Sequence, residues 1–499
     1  MKSMKTLLIN PPETAEKGGL TVLGLPLGIL YLAAVLEKES KDVKIFDSIT
    51  CTNKLITKDI GNNMIRLGAS WERIEEEIRK TEPNIIGVSN HFSSQIDNAI
   101  RVARIAKKVN SRIITVVGGP HASCMPEDFL KEECIDFIVM GEGEYAFLEL
   151  VKRLEKNERI DNIGNLAFRK KGRNIINPVK AIENLDELPF PAYHLTNMEN
   201  YFNISKDLGR VAVGAVNDRK ISVITSRGCP YNCCFCSIHC HMGRKWRAHS
   251  SEYVIRHIQY LVAKLRINHI SFEDDNLVLD TKRLEEILDG IEKNKIKIAW
   301  DTPNGIRADR VNLNLLGRMK KAGCSSIKIG IESGDQHVLD NIVGKNLKLK
   351  DVIDVADACK KLDIPLTGFF IIGYPEEKKE NIKHTLDFAY MLKRRYYMDS
   401  VMTIAMPLIG TKMYETSKEK NYLVEGHNPS EFGSKDSWVI ETENFNLDYL
   451  RSERNRFYKK IMLLQILQII GKPSILLRYI HILKNPKNCM QILRYLIKT

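Results

Sequence analysis

Short apolar runs alternate with amphipathic segments along the first 150 residues. The runs are rich in β-branched residues and predict strands, and the segments between them repeat apolar residues with a helical period. The predicted strands are Thr6–Asn10, Val43–Asp47, Asn84–Ser89, Arg112–Gly118 and Asp136–Met140, and the predicted helices are Leu27–Glu39, Trp71–Lys80, Asp97–Val109, Pro126–Glu132 and Glu144–Lys156. Runs that are apolar throughout are typical of parallel strands covered on both faces. We therefore expect residues 1–150 to form a doubly wound α/β domain that binds its ligand at the carboxyl ends of the strands.

A second alternation of strands and helices covers residues 216–416. Its predicted strands are Ile221–Thr225, His269–Glu273, Ile296–Asp301, Ser326–Ile331, Leu366–Ile372 and Ser400–Ala405, and its helices are Ser251–Leu265, Thr281–Lys293, Asn312–Ala322, Leu349–Leu362 and Lys379–Lys393. Six successive βα units are typical of a partial or complete βα barrel, in which chemistry lies at the carboxyl ends of the strands. Residues 151–215 predict a connector, with a hairpin of Leu166–Lys171 and Asn174–Val179 before an extended segment at Pro189 and Pro191.

Composition excludes several classes of protein. The chain has 499 residues, of which 43% are hydrophobic and 27% charged, as in globular proteins. No apolar run is long enough to cross a bilayer, and the first residues do not form a signal peptide. Eleven cysteines without an export signal argue against a disulfide framework and favour metal or redox chemistry. We therefore expect a cytoplasmic protein, either free or peripheral to the membrane.

Positive charge is concentrated at the end of the chain. The net charge is +13, and residues 451–499 hold eleven Lys and Arg residues against one acid, Glu453. Apolar positions in this segment have a helical period. We expect residues 417–499 to form a helical region on the substrate side, whose tail either packs on the barrel with solvated charges or binds an anionic membrane or an acidic partner.

Three cysteines follow the first predicted barrel strand with a spacing suited to an iron–sulfur cluster. Cys229, Cys233 and Cys236 form C-x3-C-x2-C. Three thiolates can each bind one iron of a cube and leave the fourth iron open to substrate. A structural zinc site is the alternative, with further ligands drawn from the nearby residues Cys234, His239, Cys240 and His241.

This motif, with the aromatic Phe235 before its last cysteine, resembles that of the radical S-adenosylmethionine superfamily. The resemblance implies that S-adenosylmethionine binds the open iron. It also implies that Glu273 or Asp274, after the second strand, contacts the methionine amino group, although the usual Gly-Gly-Glu is absent. Arg307, after the third strand, is expected to pair with the methionine carboxylate.

The ends of the next two barrel strands fit the same resemblance. Glu332 and Ser333 follow the fourth strand, where related enzymes hold the ribose and the carboxylate, and Gly373 follows the fifth, near the adenine. An N-terminal doubly wound domain before such a barrel resembles the cobalamin-dependent class B methyltransferases of the superfamily. The resemblance implies a Rossmann-like cobalamin-binding domain, a partial six-unit barrel of the TIM type and a helical C-terminal region.

Glycines at the strand ends of the first domain leave room for a large planar ligand or form tight turns. The candidate binding residues there are Gly118, Gly119, Gly141 and Gly143, together with Glu142 between the last two. The resemblance implies that Ser89, Gly118 and Gly119 contact cobalamin, and that His121 hydrogen-bonds the corrin or its tail. Many cobalamin domains carry Asp-x-His-x-x-Gly after the first strand. Residues 7–20 and 47–53 contain no His, so we predict that this protein provides no lower imidazole ligand to cobalt.

The implied function is cobalamin-dependent methyl transfer, in which a 5′-deoxyadenosyl radical abstracts hydrogen from an unactivated carbon and methylcobalamin donates the methyl group. A non-methylating cyclisation, ring contraction or oxidation on the same scaffold is the alternative. A regulatory cluster-binding protein would cleave no S-adenosylmethionine. Expected partners are a small-molecule, lipid-like or protein substrate and an electron donor such as ferredoxin or flavodoxin. Nucleic acid is disfavoured, because the basic tail lacks interleaved aromatic residues.

Overall fold

The computed structural model describes residues 4–18, 23–208, 219–424 and 440–471. The described chain divides into two compact units. The first contains residues 4–208 together with the loop 237–244, and the second contains 219–236, 245–424 and 440–471. The described part of the predicted connector, 151–208, therefore lies within the first unit.

The first unit is an α/β fold. Its strands are β1 (Thr6–Asn10), β2 (Glu13–Glu16), β3 (Val43–Asp47), β4 (Thr57–Gly61), β5 (Met64–Leu67), β6 (Ile85–Ser89), β7 (Ile114–Gly118), β8 (Phe137–Val139), β9 (Leu166–Lys170) and β10 (Arg173–Ile176). Its helices are α1 (Leu27–Lys38), α2 (Trp71–Thr81), α3 (Ile96–Val109), α4 (Pro120–Cys124), α5 (Pro126–Leu130), α6 (Glu144–Lys156) and α7 (Met198–Asp207).

Its main sheet confirms the predicted doubly wound domain. The strand order is β10-β9-β8-β7-β6-β1-β3, in which β3, β1, β6, β7 and β8 are parallel. The predicted hairpin forms and extends this sheet with two antiparallel strands. A small antiparallel sheet, β2-β5-β4, was not predicted. The side chains of β4 are all exposed, so this strand carries no apolar pattern.

The second unit is a row of βα units. Its strands are β11 (Lys220–Val223), β12 (Ser226–Arg227), β13 (Arg247–Ala248), β14 (His269–Phe272), β15 (Ala299–Asp301), β16 (Cys324–Glu332), β17 (Leu366–Ile372) and β18 (Asp399–Ile404). Its helices are α8 (Ser251–Leu265), α9 (Thr281–Lys293), α10 (Leu313–Lys321), α11 (Leu349–Lys361), α12 (Lys379–Tyr396), α13 (Lys412–Glu419) and α14 (Leu447–Gly471), with a π-helix at Val338–Val343.

Its sheet is an open, partial barrel. The order β11-β14-β15-β16-β17-β18 follows the chain, and all neighbours pair in parallel. Among the described residues β11 and β18 do not pair, so the barrel does not close. Ile327 and Ile329 are fully buried on the helix-covered face of β16, and the alternate positions of the strand face the concave side.

Helix α14 packs on the second unit through one of its faces. The Phe457 side chain is buried, the Tyr458 hydroxyl accepts a hydrogen bond of 2.9 Å from the Met402 amide, and the Gln468 amide donates to the Lys393 carbonyl at 2.9 Å. No helix in the described ranges combines the length and apolar character that crossing a bilayer requires. The remainder of the predicted tail, 472–499, lies outside the described residues.

Candidate active site

The cluster motif forms a loop after β11 and β12. The amide of Gly228 donates to the Asp275 carboxylate at 2.8 Å, and the amide of Cys236 donates to the Cys233 carbonyl at 3.1 Å. Cys229, Cys233 and Cys236 are partly exposed and form no disulfide. Three thiols outside any disulfide on one short loop fit the predicted cluster ligands.

Positive charges lie near these thiols. Burial raises the pKa of the Cys233 thiol, and the charges of Lys345 and Arg307 oppose that rise. The Asn276 amide points at the Cys229 sulfur from 3.9 Å. Because thiolates are the form that binds iron, cations and amide donors beside them favour cluster binding. The surroundings of the loop therefore fit an anionic iron–sulfur group.

Cys234 has different surroundings from its neighbours in the motif. Its side chain is buried in an apolar cluster with Val338, Tyr374 and Met413, and burial raises its pKa to about 12. Its amide donates to the Val343 carbonyl at 2.9 Å. A thiol held neutral in this way packs as a small apolar side chain.

The zinc alternative finds no support in the described chain. Cys240 lies in the loop that belongs to the first unit, where its thiol is hydrogen-bonded to Cys124. Within the described ranges, no three His, Cys, Asp or Glu side chains converge closely enough to hold one metal ion. A 4Fe–4S cluster does not require three side chains to approach a single metal ion, because each thiolate binds a different iron.

Two acidic residues after β14 have different surroundings: one holds the cluster loop in place, and the other lies where a ligand could bind. Asp274 is buried and accepts hydrogen bonds from the Thr225 amide, the Thr225 hydroxyl and the Ser226 hydroxyl, so it holds the start of the cluster loop. Glu273 accepts a hydrogen bond of 3.1 Å from Ser222 on the concave side. Of the two residues predicted for the methionine amino group, Glu273 is the better placed.

Arg307, which was predicted to pair with the methionine carboxylate, has several contacts within the chain. Its guanidinium forms two hydrogen bonds of 2.9 Å to Asp309, donates to the Lys345 carbonyl at 3.1 Å, and lies 3.7 Å from the centre of the Tyr231 ring. These bonds occupy guanidinium N–H groups that were predicted to bind the methionine carboxylate. Arg307 here fixes the loop that carries Lys345 and contributes positive charge.

Glu332 ends β16 in a strained conformation. Its φ angle is +74°, and its carboxylate forms a buried ion pair of 2.7 Å with Lys345. A Cβ atom at Gly330 would lie 2.6 Å from the Glu332 carboxylate and 2.8 Å from the Lys345 ammonium, so only glycine fits beneath the pair. Ser333 shares a hydrogen bond of 2.8 Å with Thr385. Strain of this kind is concentrated at ligand sites.

The turn after β17 contains a functional candidate that the sequence analysis missed. Gly373 has a φ of +90°, and its amide and that of Tyr374 donate to the Glu377 carboxylate at 2.6 and 2.9 Å. Burial raises the pKa of Glu377 to about 8, so the group is largely protonated at neutral pH. The signal available in the sequence was a glutamate four residues after the glycine of a Gly-Tyr-Pro turn.

The carboxyl edge of the first unit's sheet is a hydrogen-bonded row. The Ser89 hydroxyl donates to the Asn10 side chain at 3.1 Å, and the Asn10 amide donates to the buried Asp47 at 2.8 Å. Burial raises the pKa of Asp47. Asn10 and Asp47 were not predicted as site residues. Small side chains at this edge fit a large planar ligand.

The predicted glycines first serve the unit's own packing. Gly119 has a φ of +127°, and a Cβ there would lie 2.2 Å from the Asn90 carbonyl oxygen. A Cβ at Gly118 would lie 3.2 Å from the Val139 carbonyl oxygen, at Gly141 2.8 Å from Val179, and at Gly143 2.9 Å from Val139. These glycines allow the strand-end turns to approach one another.

His121 and Glu142 are buried within the same edge. One ring nitrogen of His121 shares a hydrogen bond of 2.9 Å with Ser93, and the other lies 3.2 Å from Asp128. The Glu142 carboxylate accepts from the Ile182 amide at 2.7 Å. Both ring nitrogens of His121 have partners within the protein, so this side chain links the Ser93 loop to Asp128.

Two family models match the chain, the B12 binding domain over residues 20–151 and the Radical SAM superfamily over residues 223–389. The chain is 35% identical over 427 residues to an uncharacterized methyltransferase of Pyrococcus horikoshii, with 85% of each chain covered. It is 29% identical to the cytidylyl-2-hydroxyethylphosphonate methyltransferase of Streptomyces wedmorensis, over 82% of this chain and 80% of that one.

Solved structures share the fold over nearly the whole chain. The radical S-adenosylmethionine methyltransferase TsrM of Kitasatospora setae, solved with cobalamin and a 4Fe–4S cluster, aligns with a TM-score of 0.71 and 14% identity over 93% of this chain and 91% of that one. The cobalamin-dependent S-adenosylmethionine radical enzyme OxsB aligns with a TM-score of 0.70 and 18% identity over 100% of this chain and 76% of that one.

Proposed function

This chain belongs to the family of cobalamin-dependent radical S-adenosylmethionine methyltransferases, and we propose that it transfers a methyl group to an unactivated carbon of its substrate. The single observation that carries the proposal is the position of three cysteines, none of them in a disulfide, on one loop at the carboxyl end of a partial barrel. The two relatives described above, both named methyltransferases, favour methyl transfer over other radical reactions.

The chain's own part is to hold the reacting groups and to exclude water. Cys229, Cys233 and Cys236 would bind three irons of a 4Fe–4S cluster. When bound, the cluster supplies the electron that cleaves S-adenosylmethionine, and cobalamin supplies the methyl group. Lys345 and Arg307 place positive charge near the thiolates, which favours the loaded, anionic state of the loop.

Three strand ends would hold S-adenosylmethionine. Glu273 provides an anionic oxygen for the methionine ammonium, and the Glu332–Lys345 pair provides polar groups for the ribose. The Gly373 turn, fixed by Glu377, forms a surface for the adenine. Buried, hydrogen-bonded carboxyl groups hold these loops in place before the ligand arrives, which lowers the cost of ordering the site.

The first unit would hold cobalamin through Ser89 and the turn of Gly118 and Gly119, with no lower imidazole ligand from this chain. The loops after β1 and β3 contain no His between residues 7–20 and 47–53. Electron paramagnetic resonance of the cobalt(II) state tests this point. The spectrum of protein with 15N-labelled histidine should match that of unlabelled protein, because any nitrogen splitting then comes from the benzimidazole of the cofactor, and a splitting that changes with the label would contradict the proposal.

Reconstituted protein provides the direct test of the reaction class. With dithionite and S-adenosylmethionine we expect 5′-deoxyadenosine, and with substrate a product heavier by one CH2. A product with unchanged carbon count would favour the alternative, since relatives also include proteins named anaerobic magnesium-protoporphyrin IX monomethyl ester cyclase and 4′-phospho-dehydrooxetanocin synthase. Absence of 5′-deoxyadenosine would contradict both. A ferredoxin or flavodoxin should replace dithionite as the electron donor.

We also propose a peripheral contact of α14 with an anionic membrane. Its outward face carries Arg456, Lys459 and Lys460 and then a stripe of exposed apolar residues. The stripe consists of Met462, Leu463, Ile466, Leu467 and Ile470, of which Ile470 is 71% exposed. Exposed apolar side chains can enter a bilayer interface while the Lys and Arg residues one to two turns before them contact anionic headgroups.

Vesicle sedimentation tests this contact. The protein should bind phosphatidylcholine vesicles only when they contain phosphatidylglycerol, and Leu463→Gln with Leu467→Gln should weaken the binding. Leu313→Gln, a change at an exposed leucine of α10, is the matched control and should have no effect. Equal binding to neutral vesicles, or unchanged binding of the double variant, would contradict the proposal.

A further inference from the structure

Four charged side chains lie on the concave face of the second unit's sheet. We call them the lumen charges, and they are Lys220 on β11, Glu273 after β14, Asp301 on β15 and Lys328 on β16. Lys220 reaches across β14 to contact Asp301, which places these side chains inside the curve of the sheet. Lys328 alternates with Ile327 and Ile329, which are buried on the opposite face, so it shares the concave side.

Two of the lumen charges balance each other. The Lys220 ammonium lies 2.6 Å from the Asp301 carboxylate, and the His269 ring lies 3.4 Å from the same oxygen. The Ser271 hydroxyl donates to the other Asp301 oxygen at 2.7 Å. These contacts hold the pKa of Asp301 well below its usual range. Both carboxylate oxygens of Asp301 therefore have partners within the chain.

Glu273 has a separate assignment. It accepts a hydrogen bond from Ser222, and under the proposed function it receives the ammonium of S-adenosylmethionine. With Lys220 matched to Asp301 and Glu273 matched to the cosubstrate, the positive charge of Lys328 remains unbalanced.

The contacts of Lys328 agree with an unbalanced positive charge at this position. Within the described parts of the chain its ammonium forms no hydrogen bond and no ion pair, and it lies 5.7 Å from the centre of the Phe369 ring. The main chain is fixed, because the Lys328 amide donates to the Thr302 hydroxyl at 3.2 Å. Burial and the charge of Lys220 lower the pKa of Lys328, and the charges of Asp301 and Glu273 oppose that fall without contacting the ammonium. A partly buried cation that no carboxylate contacts is costly, so its position indicates a ligand that brings negative charge.

We propose that the Lys328 ammonium binds an oxyanion of the methyl acceptor, a phosphate, phosphonate or carboxylate group, inside the partial barrel. The inference rests on the proposed function, because the Glu273 assignment leaves Lys328 as the surplus charge. The lumen provides an aromatic wall at Phe369, and of its two carboxylates Asp301 is paired with Lys220 and Glu273 is assigned to the S-adenosylmethionine ammonium under the proposed function. The methionine carboxylate of S-adenosylmethionine has the same chemistry and is the other source of an oxyanion.

Calorimetric titration of the reconstituted full-length protein tests the site. Methylphosphonate, inorganic phosphate and acetate are the probes, each added with S-adenosylmethionine already saturating. The variants are Lys328→Met, which keeps the length of the side chain without its charge, and Lys328→Arg, which keeps the charge. Lys264→Met, at an exposed position of α8, is the matched control. Iron and cobalamin content report that each variant is folded and loaded.

We expect at least one probe to bind the wild type and the Lys264 variant, and binding to weaken about tenfold or more in Lys328→Met and less in Lys328→Arg. Affinity for S-adenosylmethionine and formation of 5′-deoxyadenosine should be unchanged in Lys328→Met. No probe binding to the wild type, or equal binding to Lys328→Met, would overturn the proposal. Loss of S-adenosylmethionine affinity in Lys328→Met would assign the cation to the methionine carboxylate and also overturn it. If the wild type binds the probes but forms no 5′-deoxyadenosine, the proposed function fails and the oxyanion site stands.

Discussion

Several charged side chains around the cluster loop form hydrogen bonds or ion pairs with other residues of the protein. Arg307 is tied to Asp309, Asp274 to Thr225 and Ser226, and Glu332 to Lys345. The motif places these residues at the correct strand ends. The motif does not indicate which of these side chains form hydrogen bonds within the protein, because their partners include residues far away in the sequence. The three cysteines could be proposed from the sequence because their spacing, with Phe235 before the last of them, resembles the motif of a known superfamily.

Glu377 provides a prediction about pH. Its pKa of about 8 in the folded protein exceeds the ordinary 4.5, so its contribution to stability is complete below pH 4.5 and is lost as the pH rises toward 8. Glu377→Gln should flatten this part of the dependence and raise the apparent melting temperature at pH 8. Glu376→Gln, at the neighbouring residue that pairs with Lys420 at the surface, is the control. A wild-type slope retained in Glu377→Gln would contradict the assignment.

Cys240 provides a prediction about reactivity. The hydrogen bond from Cys124 lowers the pKa of the Cys240 thiol, whereas burial raises that of Cys51. At pH 7 iodoacetamide should therefore alkylate Cys240 faster than Cys51, as measured by site-resolved mass spectrometry. Cys124→Ala should slow the alkylation of Cys240 and leave Cys51 unchanged. An unaltered Cys240 rate would show that the thiols do not interact.

At the scale of elements, apolar runs predicted the parallel strands of both units well. The helix predicted at Pro126–Glu132 is shorter than expected, and α4 precedes it at the end of β7. The polar strands of the small sheet β2-β5-β4 gave no periodic signal, because their side chains are mostly exposed or partly exposed. Pairing between distant segments, and not local pattern, produces that sheet.

The turn between β7 and α4 gives an element-scale prediction. Gly119→Ala would place a Cβ against the Asn90 carbonyl at a positive φ, so it should lower the apparent melting temperature and the cobalamin content. Gly28→Ala is the matched control in the same unit, since Gly28 lies in α1 with open space around it. That change should stabilise slightly, by about 0.5–1 kcal/mol. Normal cobalamin content in Gly119→Ala would contradict the proposed role of the turn.

At the scale of the whole molecule, the sequence predicted two α/β units in the correct order. It did not predict that the loop 237–244, directly after the cluster motif, belongs to the first unit. Contacts such as that of Cys240 with Cys124 join segments over a hundred residues apart, and no local pattern encodes them. The substrate was equally unpredictable from motifs, whereas the charge balance of the lumen limits its chemistry.

The most direct test of the whole account compares two adjacent cysteines. Cys233→Ala and Cys234→Ala remove the same atoms from neighbouring positions, but the account gives only Cys233 an iron to bind, while Cys234 packs in an apolar cluster. The measurement is 5′-deoxyadenosine formed from S-adenosylmethionine and dithionite by each reconstituted variant. We predict that Cys233→Ala falls to background and that Cys234→Ala retains most of the wild-type yield. Undiminished cleavage by Cys233→Ala would contradict the account.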